Sequence, residues 1–328
     1  ADPVSRIVAW DKLNPNRHPH GVASSLAPSI PLCYVCPMAW LKGSLSAAYI
    51  TLNTAAVCAL LYPMAVLRLP LTGAWRRAMT QRMDLIIDLW VSANNGLIKA
   101  LRLIDIEVEW PPEPLSRDRW YMVVSNHQTW TDIILLQSAL RPMLPPLKFF
   151  TKRELIWLPL AGLAMKLLGF PYVRRARQSG GGNGQTAAGK DRDAINAACA
   201  VFRNHPTAVL SFLEGTRFTP AKRDARNSRF QHLLNPKIGG LSAVLGGLAD
   251  ELDTLVDVTI HYPGDPPGFW EFLQGKCPRA RMRVDAHRLG DELRDPDPAV
   301  QRARVGAFVE ALWRAKDARL GEVRAAGP

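Results

Sequence analysis

Along the chain the hydrophobic pattern changes character twice. Residues 1–37 are rich in Pro, His, Asn and Ser, and no apolar position recurs there at helical or strand spacing. This stretch is expected to be an unstructured leader, with Met38 as the natural start. Between Lys42 and Arg68 lie 25 residues without a formal charge. As a helix that run would be about 37 Å long, against about 30 Å for the hydrocarbon core of a bilayer. Pro63 is expected to break or kink it near its end. Met79, Met83, Ile86, Trp90, Ala93, Leu97, Leu101 and Ile104 then recur at three- and four-residue spacing, with Arg76, Arg77 and Arg82 at the basic end. That stripe suits a helix at a membrane surface, and it equally suits one covering a core. Residues 38–103 are therefore read as a membrane-associated helical segment. Basic residues flank the uncharged run at both ends, so crossing the bilayer and sinking into one leaflet both stay open.

From residue 104 the period shortens. Ile104 to Trp110 alternates strictly, as a half-buried strand does, and Pro111, Pro112 and Pro114 end it. Trp120 to Val124 is a continuous apolar run for a more buried strand, followed by a helix through Leu140. Further strands are predicted at Leu147 to Phe150, Phe170 to Val173, Thr207 to Leu213, Leu255 to Ile260 and Arg281 to Val284. Helical patterns near 154–168, 191–204, 237–252 and 298–320 separate them. Strands alternating with helices predict an α/β domain over 104–328.

Composition narrows the classes. With 48% hydrophobic and 21% charged residues, neither disorder throughout nor a disulfide miniprotein fits. The five cysteines are scattered and odd in number, as in a reducing compartment. Cys33 and Cys36 form a CxxC without a second ligand pair. The formal charge is +12, and residues 141–237 carry all of it, with 17 Lys or Arg against 5 Asp or Glu. A basic block of that size points to an anionic partner.

Three readings fail on detail. Gly184 to Lys190 has the glycine and lysine spacing of a phosphate-binding loop, but Asp191 stands where a Mg²⁺-ligating Ser or Thr belongs. No zinc pattern or groove-reading motif accompanies the basic block, so no specific nucleic acid is expected. A serine hydrolase would need a Gly-x-Ser-x-Gly elbow, and the chain has none.

Two polar clusters at strand ends carry the chemistry. Asn126-His127-Gln-Thr-Trp-Thr-Asp132 follows the apolar strand and opens a helix. Asp132 can reach back across the first turn to fix the His127 tautomer, leaving the other ring nitrogen to accept a proton. The motif holds no Ser or Cys nucleophile, so the group to be activated is read as a hydroxyl of the substrate. The strand ending at Leu213 leads into Glu214-Gly215-Thr216-Arg217. There a guanidinium fork matches a phosphate monoester, and a glycine allows close backbone approach.

Together these residues resemble the lysophosphatidic acid acyltransferase family, whose signatures are Asn-His-x4-Asp and Glu-Gly-Thr-Arg in this order. Lys152-Arg-Glu-Leu155, Pro159, Gly162 and Gly169-Phe-Pro-Tyr-Val-Arg174-Arg175 resemble its second block. Val258-Thr-Ile-His-Tyr-Pro263 resembles its fourth. The nearest likeness is to a bacterial inner-membrane subgroup. Departures are Trp130 inside the first motif, the Gly-rich stretch 179–189, and His261-Tyr262 before Pro263. The resemblance implies a single acyltransferase-like α/β domain, a mixed sheet flanked by helices behind membrane-associated helices. It also implies transfer of an acyl group from acyl-CoA or acyl carrier protein to the sn-2 hydroxyl of lysophosphatidic acid. His127 and Asp132 would be catalytic, and Glu214, Gly215, Thr216, Arg217, Lys152, Arg174 and Arg175 would bind substrate. No metal or cofactor beyond the thioester co-substrate is implied. The partners would be the acceptor, the donor and membrane lipids, with the active site on the cytoplasmic side of the inner membrane. Another lysophospholipid acceptor, or a non-catalytic lipid-binding protein, are the alternatives.

Overall fold

A computed structural model describes residues 37–173 and 195–325. The expected leader, Arg174, Arg175 and the Gly-rich stretch lie outside the described residues.

The uncharged run forms α1 (Pro37–Arg68), and the periodic stripe after it forms α2 (Gly73–Ala100). Pro63 sits inside α1 rather than ending it. The turn around it is held by Leu61 and Ala65, which pack with Met83 and Ile86 of α2 and Ala164. Asn53 Nδ2 also donates to Asn94 Oδ1 at 2.9 Å, pinning the two helices side by side.

Six strands form one mixed sheet, in the order β1 (Asp105–Glu109), β8 (Arg279–Arg288), β7 (Leu252–His261), β2 (Trp120–Ser125), β6 (Ala208–Ser211) and β3 (Leu147–Phe149). All neighbours are parallel except β7 and β8. β2 lies at the centre and is buried on both faces, as its unbroken apolar run requires. Its residues divide the core by alternation. Tyr121 and Val123 join a cluster with α2 and α3 (Thr131–Leu140), whereas Met122 and Val124 join one with α7 (Gly239–Gly247) and α9 (Pro298–Ala325). β1 is an edge strand whose acidic residues alternate outward, giving the strict period read from Ile104 to Trp110.

The continuous helix expected near 154–168 is two pieces. A 3₁₀ turn (Arg153–Trp157) is separated from α4 (Ala161–Leu167) by an extended Leu158 and by Leu160 at φ 61°. Pro159 is the cause, because a residue before proline avoids the helical region. Gly162 is needed where the pieces meet, since a Cβ there would fall 2.2 Å from the Ile156 carbonyl oxygen. Beside the main sheet, β4 (Thr151–Lys152) pairs with β5 (Tyr172–Val173). The remaining helices are α5 (195–202), α6 (Pro220–Ala225) and α8 (Phe269–Leu273).

Candidate active site

Parallel pairing brings the ends of β2 and β6 to one edge of the sheet, with Val124 opposite Ser211. The two polar clusters therefore meet there. Phe218 N–H donates to the His127 carbonyl at 2.6 Å, so the segment carrying Arg217 runs alongside the segment carrying His127. Asn126 fixes the start of the motif. Its side-chain amide donates to the Ile260 carbonyl at 2.9 Å and accepts the Ile260 N–H at 2.8 Å, a side-chain rung added to the β2–β7 ladder.

His127 Nδ1 lies 2.9 Å from Asp132 Oδ2. The same oxygen accepts the backbone N–H groups of Gln128 at 2.6 Å and Thr129 at 2.9 Å. Asp132 Oδ1 accepts the Tyr262 hydroxyl at 2.6 Å. This fully buried carboxylate is thus held by four donors or potential donors, which is what a buried charge requires. With Nδ1 turned to a carboxylate, the favoured tautomer carries its proton there and leaves Nε2 as the basic nitrogen. Nε2 has no hydrogen-bond partner among the described residues. The imidazole stacks on Phe212, ring centroids 3.9 Å apart and planes 16° from parallel. The imidazole is oriented from behind by the carboxylate, with its other nitrogen unengaged among the described residues.

Residues 107–254 match the family model described as Acyltransferase. Over that stretch the chain is similar to the acyltransferase family. Over 194 residues the chain is 27% identical to mouse 1-acyl-sn-glycerol-3-phosphate acyltransferase epsilon, covering 52% of this chain and 51% of the relative. It therefore spans about half the length of that curated relative. The crystal structure of the 1-acyl-sn-glycerophosphate (LPA) acyltransferase PlsC from Thermotoga maritima aligns with 18% identity and a TM-score of 0.45. The alignment covers 83% of this chain and 95% of that one.

Within the matched stretch, the four residues of the second signature divide in location. Glu214, expected to touch the acceptor phosphate, is instead completely buried. Its Oε1 accepts the His127 N–H and its Oε2 the Leu234 N–H, both at 2.9 Å. Burial pushes its pKa up to about 8, against the pull of those two N–H groups. A carboxyl group facing inward has no acceptor phosphate to bind. Gly215 makes the turn at φ 65°, and its N–H donates to the Phe212 carbonyl at 2.9 Å rather than pointing outward. Thr216 Oγ1 lies 3.4 Å from Lys222 Nζ, which also donates to the Arg217 carbonyl at 2.9 Å. Arg217 is exposed, and its guanidinium carbon sits 5.5 Å from the centroid of the Trp130 ring. Arg217 and the His127 segment are brought together.

Lys152 lies further out, exposed on β4 just past the end of β3, which leaves the sheet at this same edge. Sequence reasoning missed Lys222 and Lys237. The Lys237 ammonium falls 3.8 Å from where a Cβ on Gly215 would sit, which strengthens the positive character of the turn. The local density of basic residues after the signature was the available signal. In the sequence Tyr262 stands out only as a departure before Pro263. No three His, Cys, Asp or Glu side chains converge as a metal site among the described residues.

Proposed function

We propose that the protein transfers a fatty acyl group from an acyl thioester, acyl-CoA or acyl carrier protein, to the sn-2 hydroxyl of lysophosphatidic acid. The observation carrying this reading is the His127–Asp132 pair with Nε2 unengaged among the described residues, beside an exposed Arg217. The name of the mouse relative supports the acceptor class. His127 Nε2 takes the hydroxyl proton as the acceptor oxygen bonds to the thioester carbonyl carbon. Asp132 stabilises the imidazolium that forms. Collapse of the tetrahedral oxyanion breaks the carbon–sulfur bond, and the departing thiolate takes the proton from the imidazolium. Ester and free thiol leave, and the histidine is regenerated neutral. Arg217, aided by Lys222 and Lys237, grips the acceptor phosphate. Lys152, with Arg174 and Arg175, adds weaker anionic contacts.

The reading includes a membrane location, in the manner of a bacterial inner-membrane enzyme with its site on the cytoplasmic side. α1 is long and apolar enough to span a bilayer, and only 22% of its most apolar window is buried. Its contacts favour lying in one leaflet. Gly43 near its start packs on Trp270 of α8, while Tyr62 and Arg68 near its end donate to the Leu160 and Leu167 carbonyls. A helix docked at both ends along one body cannot cross a bilayer while that body stays on one side. Leu41, Leu45, Leu52, Leu60 and Leu67 on its exposed side would meet acyl chains, and an insoluble acceptor would reach His127 from the same layer.

The test is a membrane assay with labelled acyl-CoA and acyl carrier protein against a panel of lysophospholipids. Transfer to lysophosphatidic acid, abolished by His127→Ala, is expected. Transfer only to acceptors with larger head groups would reassign the acceptor. Turnover by His127→Ala would overturn the mechanism.

A further inference from the structure

The His127–Asp132 pair has a third member contributed by a distant strand. Asp132 Oδ2 is saturated by His127 and two backbone N–H groups, but Oδ1 has one partner, the Tyr262 hydroxyl at 2.6 Å. Tyr262 directly follows β7, is 3% exposed, and packs in the core cluster around Tyr121 and Val258. Burial, with the adjoining Asp132 carboxylate, raises the phenol's pKa, so it stays protonated and donates. The ionisable groups facing it are Asp132 from α3 and Cys277 from the segment before β8, and the dyad itself is faced by Glu214 after β6, with Lys316 of α9 beyond it. Asn126 ties the motif to Ile260, two residues before Tyr262, so β7 fixes both the backbone of the motif and its carboxylate.

We propose that Tyr262 is a positioning residue for acyl transfer, acting through Asp132 to hold Oδ2 toward His127 and to set the basicity of the dyad. The proposal rests on the function proposed above. A phenol bonded to one carboxylate oxygen draws charge from the other. Without it, Oδ1 becomes a buried unpaired acceptor, the carboxylate can turn, and its greater basicity stabilises the imidazolium. The dyad then holds its proton to higher pH.

Tyr262→Phe keeps the ring and removes the donor. Its kcat is expected to fall about 10- to 100-fold, with both KM values within about twofold of wild type. The acidic limb of kcat/KM should move up by roughly 0.5–1 pH unit. Replacing Tyr262 by 3-fluorotyrosine, a near-isostere with a stronger donor, should move that limb down. This arm holds even if the Phe variant folds poorly. In the Asp132→Asn background, Tyr262→Phe should cost little further activity, because the two act as one unit. A kcat within twofold and an unmoved limb overturn the proposal. So does a loss that follows the melting temperature alone. If His127→Ala is inactive while both Tyr262 variants behave as wild type, only this inference fails. If His127→Ala retains turnover, the underlying acyl-transfer reading fails and this inference with it.

Discussion

Glu214 Oε1 accepts the backbone N–H of His127 at 2.9 Å, across 87 residues of sequence. The other oxygen reaches the N–H of Leu234, so one buried carboxylate clamps the loop after β2 to the segment before α7. The second signature thus contributes to the first by holding its backbone.

Glu214→Gln places an amide N–H₂ against one of those two N–H donors. A loss of about 1–3 kcal/mol in unfolding free energy is expected, from the buried donor left without an acceptor. Activity should fall with it, since the His127 backbone loses its anchor. Denaturant melts of the two proteins, read beside turnover, check this.

The same residue gives a pH dependence. Its pKa in the fold is pushed up to about 8 from the ordinary carboxylate range, so the folded state holds this proton more tightly than the unfolded chain. Protons bound by the unfolded state are then fewer, and stability falls as pH rises from the ordinary carboxylate range to about 8. Below that window the contribution is fully present. The fall should flatten in Glu214→Gln, measured as unfolding free energy against pH.

Arg217 is exposed and stacked against Trp130. Arg217→Ala should raise the KM for lysophosphatidic acid roughly 10- to 100-fold and leave the donor KM nearly unchanged. Arg217→Lys should recover part of the loss, because it keeps the charge without the fork. A donor-only effect in separate titrations would move the thioester's phosphates to this residue.

Asp84 on α2 is buried and receives Lys148 Nζ of β3 at 2.9 Å and His205 Nε2 on the same oxygen. This ion cluster ties the α1–α2 hairpin to the sheet. Asp84→Ala leaves the Lys148 ammonium buried without its counter-ion, and about 3–5 kcal/mol of stability should be lost. A thermal melt in detergent would register it as a large drop.

Charged residues on the outer side of α1 should weaken membrane association without unfolding the body. Leu52→Glu with Leu60→Glu alters two positions that are 70% and 54% exposed. Flotation with anionic phospholipid vesicles should show the variant in the soluble fraction and the wild type with the lipid. Equal flotation would mean that this face does not touch the bilayer.

Local pattern determined much of what formed. Five apolar residues in a row before Ser125 made a central strand, because burial on both faces tolerates no charge, and the uncharged run made α1. The five-residue spacing of His127 and Asp132 put His127 in the loop after β2 and Asp132 in the first turn of α3, within hydrogen-bond reach of each other. The basic block and the Glu214–Arg217 turn at a strand end were equally visible. Pro159 was visible too, but the apolar period around it favoured one helix, and the proline restriction on Leu158 prevailed.

Tertiary structure decided the rest, because it depends on which strands become neighbours. Sequence fixes no order of strands in a sheet, so nothing local says that β6 and β7 flank β2. That order turns Glu214 inward to the His127 backbone while Arg217, three residues on, stays in solvent. The same order carries Tyr262 from 130 residues away to the free oxygen of Asp132. It also closes Lys148, His205 and Asp84 into one buried group. The type of a polar residue states which chemistry it is able to do. Whether it faces substrate, backbone or another buried charge is set by the long-range packing that removes its alternatives from water.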